Sequence, residues 1–434
     1  MSLATSSLIV LTMVVLVLGA GVWIFAGLTM VGVGTLYVVQ DFSLNKIGGI
    51  AARVISSSAV SWELAAIPIF IWMGDMIFRT DISQRLFRGL SPIVSRIPGG
   101  LLHTNVIGCT IFAAISGSSN ATTATVGKIT IPELMRRGYD VDLASGSLAG
   151  AGTFGLLIPP SIAMIIYGVL AEVSIVKLFA AGLVPGLMMA ALYSGYIIAV
   201  SLLREGIEPK DRKPATLRQM GTGLYDLFPI FLLMAMVLGS IYSGLATPSE
   251  AAAVGVAVTL VIALVTGQFS VRMVVESLMT TIRISAMICV LIAAASFLSA
   301  ALAFMHLPVK ITEAIASVDL TPIGLLALLA LLYMVLGMFI DGTSMTVMTV
   351  PIAVPLIVQA GFDPIWFGVF LVIMIELSAL TPPVGLNLYI LQGLTGQGLG
   401  RTVRAALPFF VLLCVGTMLL VAFPEIALWL PRQL

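Results

Sequence analysis

Apolar runs long enough to leave water dominate this chain. They cover about 8–38, 59–78, 101–135, 142–171, 181–203, 226–243, 250–266, 285–305, 322–360, 364–395 and 406–428. A helix needs about 20 apolar residues to cross the roughly 30 Å hydrocarbon core of a bilayer. In lipid every backbone polar group must be satisfied internally, so these runs read as helices rather than isolated strands. Composition agrees: 59% of residues are hydrophobic and 9% charged, against roughly 25% charged in soluble proteins. An ordinary water-soluble enzyme is excluded, because too little polar surface exists to cover a globule of this size. The expected class is an all-α polytopic membrane protein embedded in a lipid bilayer. A net charge of +1 gives no global basic field, so no nucleic-acid partner is expected. Cys109, Cys289 and Cys414 lie in apolar runs, with no disulfide framework or CxxC spacing. His103 and His306 stand apart and suggest no zinc site.

The first run is not read as a signal peptide. No Lys or Arg precedes it, and 8–38 is longer than a signal h-region. It reads as a first membrane helix, tilted or kinked near Gly19, Gly21 and Gly27. The basic loop 204–220, with Arg204, Lys210, Arg212, Lys213 and Arg218, is placed in the cytoplasm by the positive-inside rule. Counting spans from there also puts Arg79, Arg85, Arg88, Arg96, Arg136, Arg137, Arg401 and Arg404 inside. The N-terminus is then cytoplasmic and the C-terminus periplasmic. Residues 81–95 place Ile82, Leu86, Phe87, Leu90, Ile93 and Val94 on one helical face, as in an amphipathic helix at the cytoplasmic interface.

The chain repeats itself. Gly117-Ser118-Ser119 matches Gly342-Thr343-Ser344 at an offset of 225. Pro132 matches Pro355, Gly138-Tyr139-Asp140 matches Gly361-Phe362-Asp363, and Pro159-Pro160 matches Pro382-Pro383, all at an offset of 223. Residues 50–140 hold eight Lys or Arg, whereas 275–363 hold two, Arg283 and Lys310. A basic half with its hairpin base inside and a depleted half with its base outside predict an inverted-topology repeat, a common plan of secondary transporters.

Within each half a polar hairpin precedes a broken helix. In 101–135, two arms of about 15 residues flank Ser116-Gly117-Ser118-Ser119-Asn120. Such an arm rises about 22 Å, short of the core thickness, so a re-entrant hairpin with its tip near the midplane is expected. The copy in 322–360 has Asp341-Gly342-Thr343-Ser344 at its tip. Hydroxyls and freed carbonyls at that depth are hard oxygen donors suited to a small hard cation. The breaks are 152–161, with Pro159-Pro160, and 380–387, with Pro382-Pro383. Paired prolines remove two N–H donors and leave carbonyls unpaired. Such unwound carbonyls can coordinate Na⁺, while half-helix N-termini favour an anionic group. No arginine stands at membrane depth to clamp a carboxylate, so backbone N–H groups and hydroxyls are left to hold an anion. Asp341 and Glu376 are acids at membrane depth and functional by default. Asp341 either neutralises an ion or holds the tip through backbone N–H bonds. Glu376, six residues before the second break, reads as its brace.

The stretches SGSSNATTATVG (116–127), GTFGLLIPPS (152–161), TPSEAAAVG (247–255) and LTPPVGLNLYIL (380–391) resemble the large membrane subunit of tripartite ATP-independent periplasmic (TRAP) transporters. The resemblance runs nearly end to end. It implies an elevator fold, Na⁺-driven uptake, a periplasmic solute-binding protein that delivers a small organic acid such as a C4-dicarboxylate, a small membrane subunit and residence in the bacterial inner membrane. No organic cofactor is implied. Carried onto these motifs, one Na⁺ site draws on Ser116, Gly117, Ser118, Ser119, Gly152 and Thr153. A second draws on Asp341, Gly342, Ser344, Thr381 and Pro382. Substrate is expected near Asn120, Thr122, Thr343 and Asn387. The implied division is a scaffold of 1–100, 172–321 and 396–434 around a transport unit of 101–171 and 322–395. The competing readings are a receptor-free ion-coupled carrier, an ion channel, and an intramembrane hydrolase. The last lacks a histidine placed to activate a serine. No GxxxxGK[ST] supports an ATP-driven pump.

Overall fold

The computed structural model describes residues 20–209, 215–305, 321–382 and 385–434, with isolated residues before 20. Gly19, Lys210, Arg212, Lys213, His306, Lys310 and Pro383 lie outside the described residues, as does much of 8–19. Among the described residues the regular structure is helical. The first part runs α1 (Ile24–Gly34), α2 (Leu44–Ala59), α3 (Ala66–Phe78) and α4 (Ile82–Val94). There follow α5 (His103–Ser116), α6 (Ser119–Arg136), α7 (Val141–Gly152), α8 (Ile162–Leu170) and α9 (Ile175–Leu203). The middle holds α10 (Leu217–Tyr242), α11 (Pro248–Val265) and α12 (Val271–Phe304). The last part is α13 (Pro322–Gly337), α14 (Gly342–Gln359), α15 (Pro364–Ala379), α16 (Leu386–Thr395) and α17 (Leu399–Ala422). Among the described residues 7 helices, with 141–170 taken as one, are long and apolar enough to cross a membrane. The number is 8 if Leu44–Ala59 and Trp62–Phe78, bent by 52° at their junction, form one span. The chain is a multi-pass membrane protein.

The two halves stop and restart their helices with the same local chemistry. α6 ends at Gly138 (φ 79°) and α14 at Gly361 (φ 89°). In each case the glycine N–H bonds three residues back, Gly138 to Met135 and Gly361 to Val358. The next N–H bonds five residues back, Tyr139 to Leu134 and Phe362 to Ile357. This is the Schellman stop, which needs the left-handed backbone that glycine adopts without a Cβ clash. Two residues on, Asp140 accepts from the Leu143 N–H at 2.6 Å and Asp363 from the Ile365 N–H at 2.7 Å, capping α7 and α15. The repeat legible in the sequence is therefore repeated in hydrogen bonds.

Packing sorts the helices into two groups. α1 to α4 pack with α10 to α12, and α5 to α9 pack with α13 to α17. The groups meet along α12 against α14, and α3 and α4 against α5. α9 lies on α5, α15 and α17, and α17 lies on α7, so these two helices pack against the hairpins and breaks. Apolar composition all round a helix tells it to be buried or lipid-facing but does not choose the neighbour. α15 is the hub: every residue from Trp366 to Ser378 is buried. α4 buries Ile82, Leu86, Leu90 and Val94 as its spacing requires. It packs along α10, however, so its apolar face meets protein and not only lipid. α2 falls outside the expected apolar runs. Of its residues only Ile47 is buried.

Candidate functional site

The tips of the two hairpins meet across one cleft. Its volume is ≈ 290 Å³, and its walls include Ser118, Ser119 and Asn120 from the first tip, Asp341, Gly342 and Thr343 from the second, and Glu376 from α15. The first tip turns at Gly117, whose φ of 58° closes α5. Ser118 then opens α6, its hydroxyl accepting weakly from the Ala121 N–H at 3.5 Å. Ser116 Oγ and Thr122 Oγ1 share a 2.6 Å hydrogen bond, and Ser116 Oγ donates to the Ser118 carbonyl at 3.3 Å. These contacts gather several oxygens at the inner side of the tip.

The first break presses on this tip from behind. A Cβ on Gly155 would stand 2.5 Å from backbone atoms of Ser118 and Ser119, so only glycine permits this approach. A Cβ on Gly117 would lie 3.1 Å from the Pro160 carbonyl oxygen. Gly155 and Pro160 thus bring the first break against the first tip. Thr153 Oγ1 donates to the Gly150 carbonyl at 2.6 Å within its own helix turn, and Gly152 packs on Thr123.

The second tip is built differently. Asp341 caps α14, accepting from the Ser344 N–H at 3.1 Å and the Ser344 hydroxyl at 2.5 Å. Gly342 packs on Ile375 of α15. Thr381 Oγ1 donates to the Leu377 carbonyl at 2.8 Å, and neither Thr381 nor Pro382 lines the cleft. Of the four expected substrate residues, Asn120 and Thr343 both line the cleft. Thr122 and Asn387 are buried behind the first tip. Thr122 is turned towards Ser116, and Asn387 Oδ1 accepts from Thr123 Oγ1 at 3.2 Å, joining α16 to α6. Asn120 and Thr122 are two residues apart, about 200° around the helix, so one lines the wall and the other points inward.

Glu376 belongs to this site and was outside the expected set. It is 1% exposed, and the Ser119 hydroxyl donates to its Oε1. It ties the first tip to α15 instead of bracing the second break alone. The signal available in sequence was its charge at membrane depth. A larger cleft, ≈ 580 Å³, opens at Ser61–Glu63, Gly168–Val176 and Thr247–Ser249. It contains neither tip and none of the expected site residues.

Residues 9–426 match the family described as "Tripartite ATP-independent periplasmic transporter, DctM component". The chain belongs to this family. It is 33% identical to the C4-dicarboxylate TRAP transporter large permease protein DctM of Pseudomonas aeruginosa, over 93% of this chain and 94% of that one. It is 31% identical to the ectoine/5-hydroxyectoine TRAP transporter large permease protein UehC of Ruegeria pomeroyi, over 85% of this chain and 86% of that one. The YdaH transporter of Alcanivorax borkumensis, at 15% identity, shares the fold with a TM-score of 0.64 over 89% of this chain and 90% of that one. A TRAP large permease is a secondary transporter component, not an enzyme, and the intramembrane hydrolase reading is set aside.

Proposed function

We propose that this TRAP permease carries out Na⁺-coupled uptake of a small organic acid through the inner membrane, with a periplasmic solute-binding protein delivering the solute and a small membrane subunit completing the complex. The observation that carries the reading is the cleft in which both polar tips converge. A solute held there touches both hairpins at once. The hairpin and break helices, with α9 and α17, pack as one group, which supports an elevator motion of that group against α1–α4 and α10–α12. The N-terminus is cytoplasmic and the C-terminus periplasmic in this reading, with both hairpins re-entrant from opposite sides.

Two Na⁺ sites fit the donor chemistry. At the first tip, Ser116 and Thr122 hydroxyls, the Ser118 carbonyl and the Pro160 carbonyl are all oxygen donors of the type a hard cation selects. At the second, Asp341 and Ser344 supply a carboxylate and a hydroxyl beside the tip. Na⁺ drives uptake only if it binds the solute-loaded state better than the empty one, since a ligand shifts an equilibrium by its differential affinity. The test is uptake into proteoliposomes containing permease, small subunit and receptor. Uptake is expected to stop when the Na⁺ gradient is removed, and unchanged uptake would refute Na⁺ coupling.

A further inference from the structure

Where α4 meets the first hairpin, the seam between the two helix groups opens into a third cleft, of ≈ 420 Å³. Its walls include Phe87, Arg88 and Pro92 on α4, and Ile129, Glu133 and Arg137 at the end of α6. Neither arginine is spent on the protein. Among the described residues Arg88 makes one approach to an acid, 3.8 Å to Asp226, which is too long for a hydrogen bond. Arg137 gives its Nε to Glu133 at 2.7 Å and leaves its terminal NH₂ groups without a partner among the described residues. Glu133 is also held by Arg136, at 2.6 and 2.9 Å. The cluster therefore sets three guanidiniums against two carboxylates. The Arg88 and Arg137 side chains are 58% and 45% exposed, so an outside ligand can reach both. Phe87 and Ile129 also line a narrow crevice that holds Ser83 of α4 and Thr130 of α6. Both hydroxyls are buried without a hydrogen-bond partner. A buried hydroxyl in that state is costly, so this seam gains from a polar group beside it.

We propose that this cleft binds the headgroup of an anionic phospholipid, with its phosphate on Arg88 and Arg137 and the start of its acyl chains along Phe87, Pro92 and Ile129. The guanidinium fork matches phosphate oxygens in pairs, and such charge-assisted bonds are stronger than neutral ones. A free phosphate would meet the same two cations but leave the apolar wall wet, whereas a lipid covers both. The topology proposed above places this end of α4 and α6 at the cytoplasmic surface of the bilayer, where anionic headgroups and basic clusters attract each other. The binding itself depends on neither the solute nor Na⁺. Its position has a consequence for motion. α4 packs with α10, and α6 packs with α5 and α7. A headgroup between α4 and α6 touches both helix groups and stabilises the arrangement in which they stand. Sliding one group past the other has to break one of its two arginine contacts.

The test is a thermal-shift titration of the full-chain permease in neutral detergent, alone and with its small subunit. The probes are phosphatidylglycerol, phosphatidylcholine and inorganic phosphate. Phosphatidylglycerol is expected to raise the melting temperature, and the other two to leave it unchanged. Arg88→Gln and Arg137→Gln are each expected to weaken the phosphatidylglycerol response about fivefold in apparent Kd, and the double variant more. Glu133 keeps Arg136 in both variants, and each response is read against the variant's own lipid-free melting temperature. Arg401→Gln, at an exposed arginine paired with Asp142 on another part of the molecule, is expected to leave the response intact. An equal response to phosphatidylcholine overturns the proposal, as does a phosphatidylglycerol response that survives in the double variant. An equal loss in Arg401→Gln overturns it too, by showing a diffuse charge effect. A shift with inorganic phosphate that the double variant loses makes the cleft a free-anion site. A lipid response that disappears when the small subunit is added gives the cleft to that subunit. Either of these also overturns the lipid site.

Discussion

The first and second hairpin tips descend from one pattern and have diverged in how they are held. The first is clamped by backbone: Gly155 lies under Ser118 and Ser119 with no room for a methyl group, and the tip carries no charge. The second is held by side chains: Asp341 caps its own helix, and Gly342 rests on the branched side chain of Ile375. The lesson is that a repeat conserves helix stops and starts more strictly than it conserves the chemistry between them. Gly138 and Gly361 make the same bonds and Asp140 and Asp363 both cap the next helix, whereas Ser118 and Asp341 do not share a charge.

The sharpest way to break that comparison is at the glycines. Gly155→Ala forces backbone apart, because its Cβ would sit 2.5 Å from Ser118 and Ser119 main-chain atoms. A loss of about 1–3 kcal/mol or more is expected from such overpacking, read as a fall in melting temperature with loss of uptake. Gly342→Ala meets a side chain that can turn, so its loss is expected to be smaller, and an equal loss would dissolve the distinction. Next comes Ser119→Ala, which strands the buried Glu376 carboxyl without its hydroxyl donor. An unsatisfied buried group costs about 1–3 kcal/mol, and a Glu376→Gln background is expected to reduce the penalty, as a double-mutant cycle would record. Asp341→Ala should cost about 1 kcal/mol as the loss of a helix cap. Ser118→Ala, whose cap bond is 3.5 Å long, should cost less; a reversed order would show that the second tip is not held by Asp341. The smallest effect is expected outside the tips. Arg401 binds Asp142 at 2.7 Å across α17 and α7, but its side chain is 62% exposed. Arg401→Ala is expected to change the melting temperature little, and less still at high salt.

Much of this was legible because it is local. The apolar runs marked the helices, Ser116–Asn120 and Asp341–Ser344 marked the tips, and Pro159-Pro160 marked the first break. Asn120 and Thr343 were placed in the cleft wall by their position at a tip. Thr122 and Asn387 were not separable from them by the same reasoning, since a helix turns about 100° per residue and the sequence does not say which side another hairpin occupies.

The sequence alone determined the solvent, most of the apolar helices and the repeated stops and starts, because hydropathy, proline and capping residues act within a few positions of where they stand. The tertiary structure alone decided that α9 and α17 pack with the hairpins, that Gly155 and Pro160 come against the first tip, and that Glu376 meets Ser119. Those contacts join segments far apart in the chain, 257 residues in the last case. An apolar helix can satisfy its burial against many partners, and only the packed whole selects one.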